Sequence, residues 1–170
     1  MFTLIIGGAA SGKSEFAEAH VLSLSGRRIY LATMEPFGAE DRARVEKHRQ
    51  MRADKGFETV ERYTDLRGLE VLPDANILLE CLGNLTANEL YSLWGGGADA
   101  VLAGMDHLLA RSAHLTVVTN EVCSGGMDYV GDTLTYMREL ARINRTLAAR
   151  ADRVVEVVCG LPNVLKGMTV

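Results

Sequence analysis

The stretch Gly7-Gly8-Ala9-Ala10-Ser11-Gly12-Lys13-Ser14 carries residue types that handle phosphate. It satisfies G-x-x-x-x-G-K-[ST] at every fixed position and follows directly on the apolar, β-forming run Phe2-Thr3-Leu4-Ile5-Ile6. Gly7 and Gly12 admit backbone angles closed to other residues, so successive N–H groups can converge on a polyphosphate. A helix opening near Lys13 adds the positive end of its dipole. In such a loop Lys13 is expected to reach β- and γ-phosphate oxygens, and the Ser14 hydroxyl to ligate Mg²⁺. The stretch reads as a nucleoside triphosphate site.

Two strand ends supply further polar groups. Ile77-Leu78-Leu79 is apolar and closes on Glu80, a carboxylate placed to hold Mg²⁺ directly or through water. Asn120-Glu121 closes another apolar run and suits a nucleophilic water, a substrate hydroxyl or a neighbouring loop equally well. A third group is helical: Arg44, His48 and Arg52 recur every four residues and stack on one stripe. Flanking guanidiniums disfavour protonation of the imidazole and attract phosphate oxygens. His48 therefore has the surroundings of a covalent nucleophile toward phosphorus. A solvated helix in which Glu40 pairs with Arg44 and His48 has no role fits the same residues.

The elements that position these groups alternate along the chain. Strands are expected at 2–6, 28–32, 57–62, 76–80, 115–119 and 153–159. Helices are expected at 15–24, 39–55, 82–93, 98–111 and 133–150, with a brief helical turn after Thr64-Asp65. Residues 120–131 form a glycine-bearing loop, and a tail follows residue 159 with Gly160, Pro162 and Gly167. Alternation of this kind implies βαβ units: an α/β fold with a mainly parallel central sheet flanked by helices. The loop motif makes it P-loop NTPase-like, a RecA-like three-layer α/β/α arrangement. Ligands of such sheets bind beyond the carboxyl ends of the strands, where all the groups above fall.

The whole chain, 1–170, fits a single nucleotide-binding domain. Its 48% hydrophobic and 24% charged residues are soluble-globular usage. A net charge of −4 argues against a broad nucleic-acid or anionic-membrane surface. Three cysteines without CxxC spacing suit a reducing compartment. No apolar run approaches the ~18 residues of a membrane span, and the N-terminal run lacks the basic flank of a signal peptide. A cytoplasmic protein is expected. His20, His107 and His114 have no metal-ligand spacing, and Trp94, beside Gly95-Gly96-Gly97, is a lid or an interface residue.

Six segments, taken in order, resemble one family. They are Gly7 to Ser14; Tyr30-Leu31-Ala32-Thr33; Arg44-Val45-x-x-His48-Arg49-x-x-Arg52; Leu78-Leu79-Glu80-Cys81-Leu82 with Asn84 and Asn88; Val118-Thr119-Asn120-Glu121-Val122; and Asn144 with Leu147-Ala148. The family is the bifunctional adenosylcobinamide kinase / adenosylcobinamide-phosphate guanylyltransferase of cobalamin biosynthesis. The resemblance implies phosphorylation of adenosylcobinamide by ATP or GTP. Transfer of GMP from GTP onto that phosphate then gives adenosyl-GDP-cobinamide through a guanylylated histidine, here His48. It also implies that Gly7 to Ser14 hold the triphosphate and that Ala32, Thr33 and Met34 line the nucleotide. Arg49, Gln50, Met51 and Arg52 contact it, Glu61 and Glu80 complete its site, and the protein is a homotrimer. The chain departs from the family at Cys123 to Asp128, which lacks the usual proline, and at Arg52-Ala53, where Arg-Pro is usual. It also departs around Arg138, which stands one place off the usual register. Two other functions fit the motif alone: a kinase of another small hydroxylated substrate without guanylyl transfer, and a non-catalytic nucleotide-binding regulator.

Overall fold

The computed structural model describes residues 1–36, 46, 54–71, 73–125 and 128–168. Seven strands form one sheet: β1 (Phe2–Gly7), β2 (Arg28–Ala32), β3 (Glu58–Glu61), β4 (Asn76–Leu79), β5 (His114–Asn120), β6 (Arg153–Val158) and β7 (Leu161–Lys166). Their order is β3-β2-β4-β5-β1-β6-β7. The first six are mutually parallel and β7 runs antiparallel to β6. The helices are α1 (Lys13–Leu22), α2 (Leu82–Tyr91), α3 (Gly97–Arg111) and α4 (Gly131–Arg150), with a 3₁₀ turn at Leu66–Gly68.

The central strands are near-continuous apolar runs because both faces of the sheet are covered. Alternate residues feed two cores. Leu4, Leu31, Ile77, Leu79 and Val117 pack under α2, α3 and α4, which contribute Leu85, Met105, Leu108, Leu140 and Leu147. Ile5, Tyr30, Leu78, Val118, Val155 and Val157 pack under α1 through Ala17 and Val21. Tyr30 and Phe57 meet edge to face on that side, with ring centroids 5.9 Å apart. The stripe Val101, Met105 and Leu108 has the helical spacing expected of a buried face. At Gly104 α3 lies so close to the 3₁₀ turn that a Cβ would fall 2.8 Å from that of Leu66.

The expected α/β fold, with helices on both faces of a mainly parallel sheet, is the one observed. The tail is not: residues 161–166 form β7. Cys159 and Gly160 both have positive φ, 51° and 78°, as the two central residues of a type I′ hairpin require. Pro162 is tolerated because β7 is an edge strand. The helix expected over 39–55 lies outside the described residues except at Glu46 and Asp54, both helical. Among the described residues, no helix is long and apolar enough to cross a membrane.

Candidate active site

Parallel pairing brings the expected groups to one rim. Ala32 is in register with Glu61, Leu31 with Leu79, Leu79 with Val117, and Gly7 with Asn120. Across the carboxyl ends of the strands the order is therefore Glu61, Ala32, Glu80, Asn120 and Gly7, with neighbouring strands about 4.8 Å apart.

The loop after β1 has the shape its motif demands. Ala10 is left-handed at φ 53° and Gly12 at φ 88°, and Gly12 caps α1. Gly7, which is not left-handed, is favoured for a different reason: a Cβ there would stand 2.6 Å from both Ser11 Oγ and the Val157 carbonyl oxygen. Gly7→Ala is expected to cost about 1–3 kcal/mol, the range of overpacking, read as a lower urea midpoint. The Lys13 ammonium donates back to the Gly8 carbonyl oxygen at 2.9 Å. Ala10, Ser11, Gly12, Lys13, Ser14 and Glu15 line a hollow of about 250 Å³.

The hairpin turn missed in the sequence buttresses this loop. The Gly160 N–H donates to the Ser11 carbonyl oxygen at 2.8 Å, and a Cβ on Gly12 would reach Gly160 Cα at 3.0 Å. A two-residue Cys-Gly link between β-forming runs was the available signal.

Glu80 follows β4, its N–H donating to the Leu31 carbonyl oxygen at 3.0 Å. Burial pushes the neighbouring Cys81 thiol up; the Glu80 carboxylate raises it further, while the Lys13 ammonium draws it down. Among the described residues no cluster of three or more His, Cys, Asp or Glu side chains can hold a metal by itself. Ser14 and Glu80 bring one hydroxyl and one carboxylate to this rim, so a cation bound there would need phosphate and water for the rest of its ligands. That donor set suits Mg²⁺.

Thr33 is fully buried, its hydroxyl donating to the Cys81 carbonyl oxygen at 2.8 Å, and Met34 is exposed. Glu61 ends β3 and accepts from the Tyr63 hydroxyl at 3.0 Å. Burial and the Glu61 carboxylate push that phenol up to about 12. The asparagines of the resembling segments act as tethers. Asn88 Nδ2 donates to the carbonyl oxygens of Thr33 and Tyr63, at 2.9 and 3.0 Å, joining the exits of β2 and β3. Asn144 accepts from the Thr119 hydroxyl at 2.7 Å and donates to the Asn120 carbonyl oxygen at 3.2 Å, fixing the end of β5 to α4.

Of the three roles open to Glu121, the structure supports loop formation. Its carboxylate accepts from the Cys123 N–H at 2.8 Å and from the Ser124 N–H at 3.3 Å, and also from the Ser124 hydroxyl. The Ser124 hydroxyl and the Cys123 N–H hold the carboxyl below its ordinary value. Because the folded value is the lower one, the loop contact stabilises above the ordinary carboxylate pKa and is lost as pH falls through the folded value. Amide resonances of Cys123 and Ser124 are expected to titrate with a midpoint below about 4.3, against that of an unperturbed glutamate.

His48, Arg49, Gln50, Met51 and Arg52 lie outside the described residues. Lys13, Ser14, Glu80, Thr33 and Glu61 all border the rim.

Residues 3–165 match the family model described as cobinamide kinase / cobinamide phosphate guanyltransferase. The chain is 36% identical to the bifunctional adenosylcobalamin biosynthesis protein CobU of Escherichia coli, over 95% of this chain and 97% of that protein. It is 34% identical to the protein of the same name from Salmonella typhimurium, with the same coverage. With the bifunctional adenosylcobalamin biosynthesis protein CobP of Pseudomonas aeruginosa it shares 30% identity over 98% of both chains.

Proposed function

The chain belongs to the cobinamide kinase / cobinamide phosphate guanyltransferase family, and from that premise we propose how its residues serve the two reactions. The enzyme phosphorylates adenosylcobinamide with ATP or GTP and then transfers GMP from GTP onto the new phosphate, giving adenosyl-GDP-cobinamide. The observation that carries this reading is the phosphate loop: left-handed Ala10 and Gly12, side-chain-free Gly7 and an inward Lys13, in a chain matching the family almost end to end.

In the first reaction the substrate hydroxyl oxygen bonds to the γ-phosphorus, the bond to the β–γ bridging oxygen breaks, the nucleoside diphosphate leaves and the hydroxyl proton passes to solvent. This chemistry needs placement and charge neutralisation more than covalent help. Loop amides and Lys13 supply both. Ser14 and Glu80 would hold Mg²⁺, which neutralises phosphate charge when bound. Ala32, Thr33, Met34 and Glu61 border the nucleoside.

In the second reaction the His48 imidazole attacks the α-phosphorus of GTP and pyrophosphate leaves. The cobinamide phosphate oxygen then displaces the imidazole. Two displacements suit a weak acceptor, and the Arg49 to Arg52 segment accompanies the nucleotide. A homotrimer is part of the reading; Leu161 and Leu165, apolar and exposed on the β7 edge, offer surface for self-association. Three free thiols at Cys81, Cys123 and Cys159 support a cytoplasmic setting.

The test is incubation with adenosylcobinamide and GTP, following both products by chromatography. Appearance of the phosphate and then the GDP derivative supports the reading. Turnover of the hydroxyl without GMP transfer would leave only a kinase.

A further inference from the structure

Trp94 is 85% exposed, an unusual setting for an indole on a well-anchored turn. The anchor is Glu89, in the last turn of α2 and only 2% exposed. Its Oε1 accepts from the Asp65 N–H and its Oε2 from the Gly96 N–H, each at 2.7 Å. One buried carboxylate thus joins the β3 exit to the turn carrying Trp94. Gly95 lies so close against α2 that a Cβ would fall 2.2 Å from the Glu89 carbonyl oxygen. The adjacent Asn88 ties the same β3 exit to Thr33 on the strand-end rim.

Between these walls is a cleft of about 580 Å³ lined by Glu61, Arg62, Tyr63, Thr64, Asp65 and Trp94. One wall is an aromatic face. The lining also carries two carboxylates and one guanidinium. Arg62 is engaged with the Thr64 and Asp65 carbonyl oxygens and with Asp65 Oδ2, which leaves Glu61, accepting from the Tyr63 hydroxyl, as the excess acid of this lip. A flat ring stacks on an indole, and a carboxylate lip suits a ring edge bearing adjacent N–H donors. Guanine has such an edge, at its ring N1–H and exocyclic amine; adenine offers a lone pair at the same ring position.

We infer that Trp94 is the stacking wall for the guanine of the bound nucleotide, and that Glu89 is the positioning residue holding this wall at a fixed distance from the acidic lip. The inference rests on the nucleotide reading above, which already places Glu61 at the nucleotide; the roles of Trp94 and Glu89 are new. They give the site a means of preferring GTP to ATP.

Trp94 is the chain's single tryptophan, so its emission reports on this wall alone. The protein is titrated with GTP, ATP and inorganic tripolyphosphate, with binding measured in parallel by equilibrium dialysis. GTP is expected to shield Trp94 from acrylamide at least about twofold, and tripolyphosphate to bind without shielding it. Trp94→Ala is expected to raise the KM for GTP about tenfold or more with kcat held, and Trp94→Phe to restore most of it. Glu89→Gln is expected to lower Trp94 emission anisotropy and raise the same KM, leaving tripolyphosphate affinity unchanged. GTP binding with no change in Trp94 accessibility, or an unaltered KM in Trp94→Ala, overturns the inference and leaves the nucleotide reading standing. Shielding already present without ligand and lost on dilution also overturns it, making the turn a subunit contact. Failure of both GTP and tripolyphosphate to bind overturns both.

Discussion

Replacing His48 with alanine is expected to abolish guanylyl transfer, by roughly 10⁴-fold or more, while phosphorylation of the adenosylcobinamide hydroxyl continues. The two reactions attack different phosphorus atoms of the triphosphate, and the covalent route is needed only at the α-position. Without the imidazole the cobinamide phosphate must displace pyrophosphate directly, as a poor nucleophile bearing like charge. The wild-type protein incubated with α-labelled GTP is expected to carry an acid-labile, alkali-stable label, and His48→Ala none. Accumulated cobinamide phosphate in the variant is the second readout. Label retained in His48→Ala would transfer the nucleophile's role to another residue.

Lys13→Ala is expected to impair both reactions, lowering kcat by about 10²–10³-fold as does removal of a charge-stabilising donor elsewhere. In the structure the ammonium is held by the Gly8 carbonyl oxygen at 2.9 Å, inside the hollow at the start of α1. A bound triphosphate offers charged oxygens in place of that neutral one, and charge-assisted hydrogen bonds are roughly twice as strong. Lys13→Arg keeps the charge but replaces a compact ammonium by a planar fork, so it is expected to recover binding better than rate. Steady-state assays of both half-reactions separate the two residues: Lys13 moves both and His48 only one. An unimpaired kinase in Lys13→Ala would remove the phosphate loop from the mechanism.

The phosphate loop was legible because its requirements are local. Gly7, Gly12, Lys13 and Ser14 are fixed by spacing alone, and the preceding apolar run announces a doubly covered strand. The alternation of elements gave the parallel sheet on similar grounds. The seventh strand was hidden because its evidence is non-local: Pro162 argues against a strand, and only an edge position beside β6 makes it acceptable. Glu121 was ambiguous until its carboxylate was seen closing the 121–124 turn. Glu89 carried no signal, since an acid in an amphipathic helix reads as solvent-facing, yet its two oxygens join segments on either side of α2 in the chain. Asn88 and Asn144 stood out only through family likeness, and their physical task, bonding backbone carbonyls across elements, needs coordinates to be seen.

The contact between Gly160 and Ser11 couples events at opposite ends of the sequence. A ribosome-bound nascent chain displays the glycine-rich octet long before the last hairpin emerges, so the octet cannot yet have its finished shape. Nucleotide capture should therefore come late in folding, after β6 and β7 have docked. Once captured, the ligand is expected to stabilise that hairpin by mass action through the contact it shares with the loop.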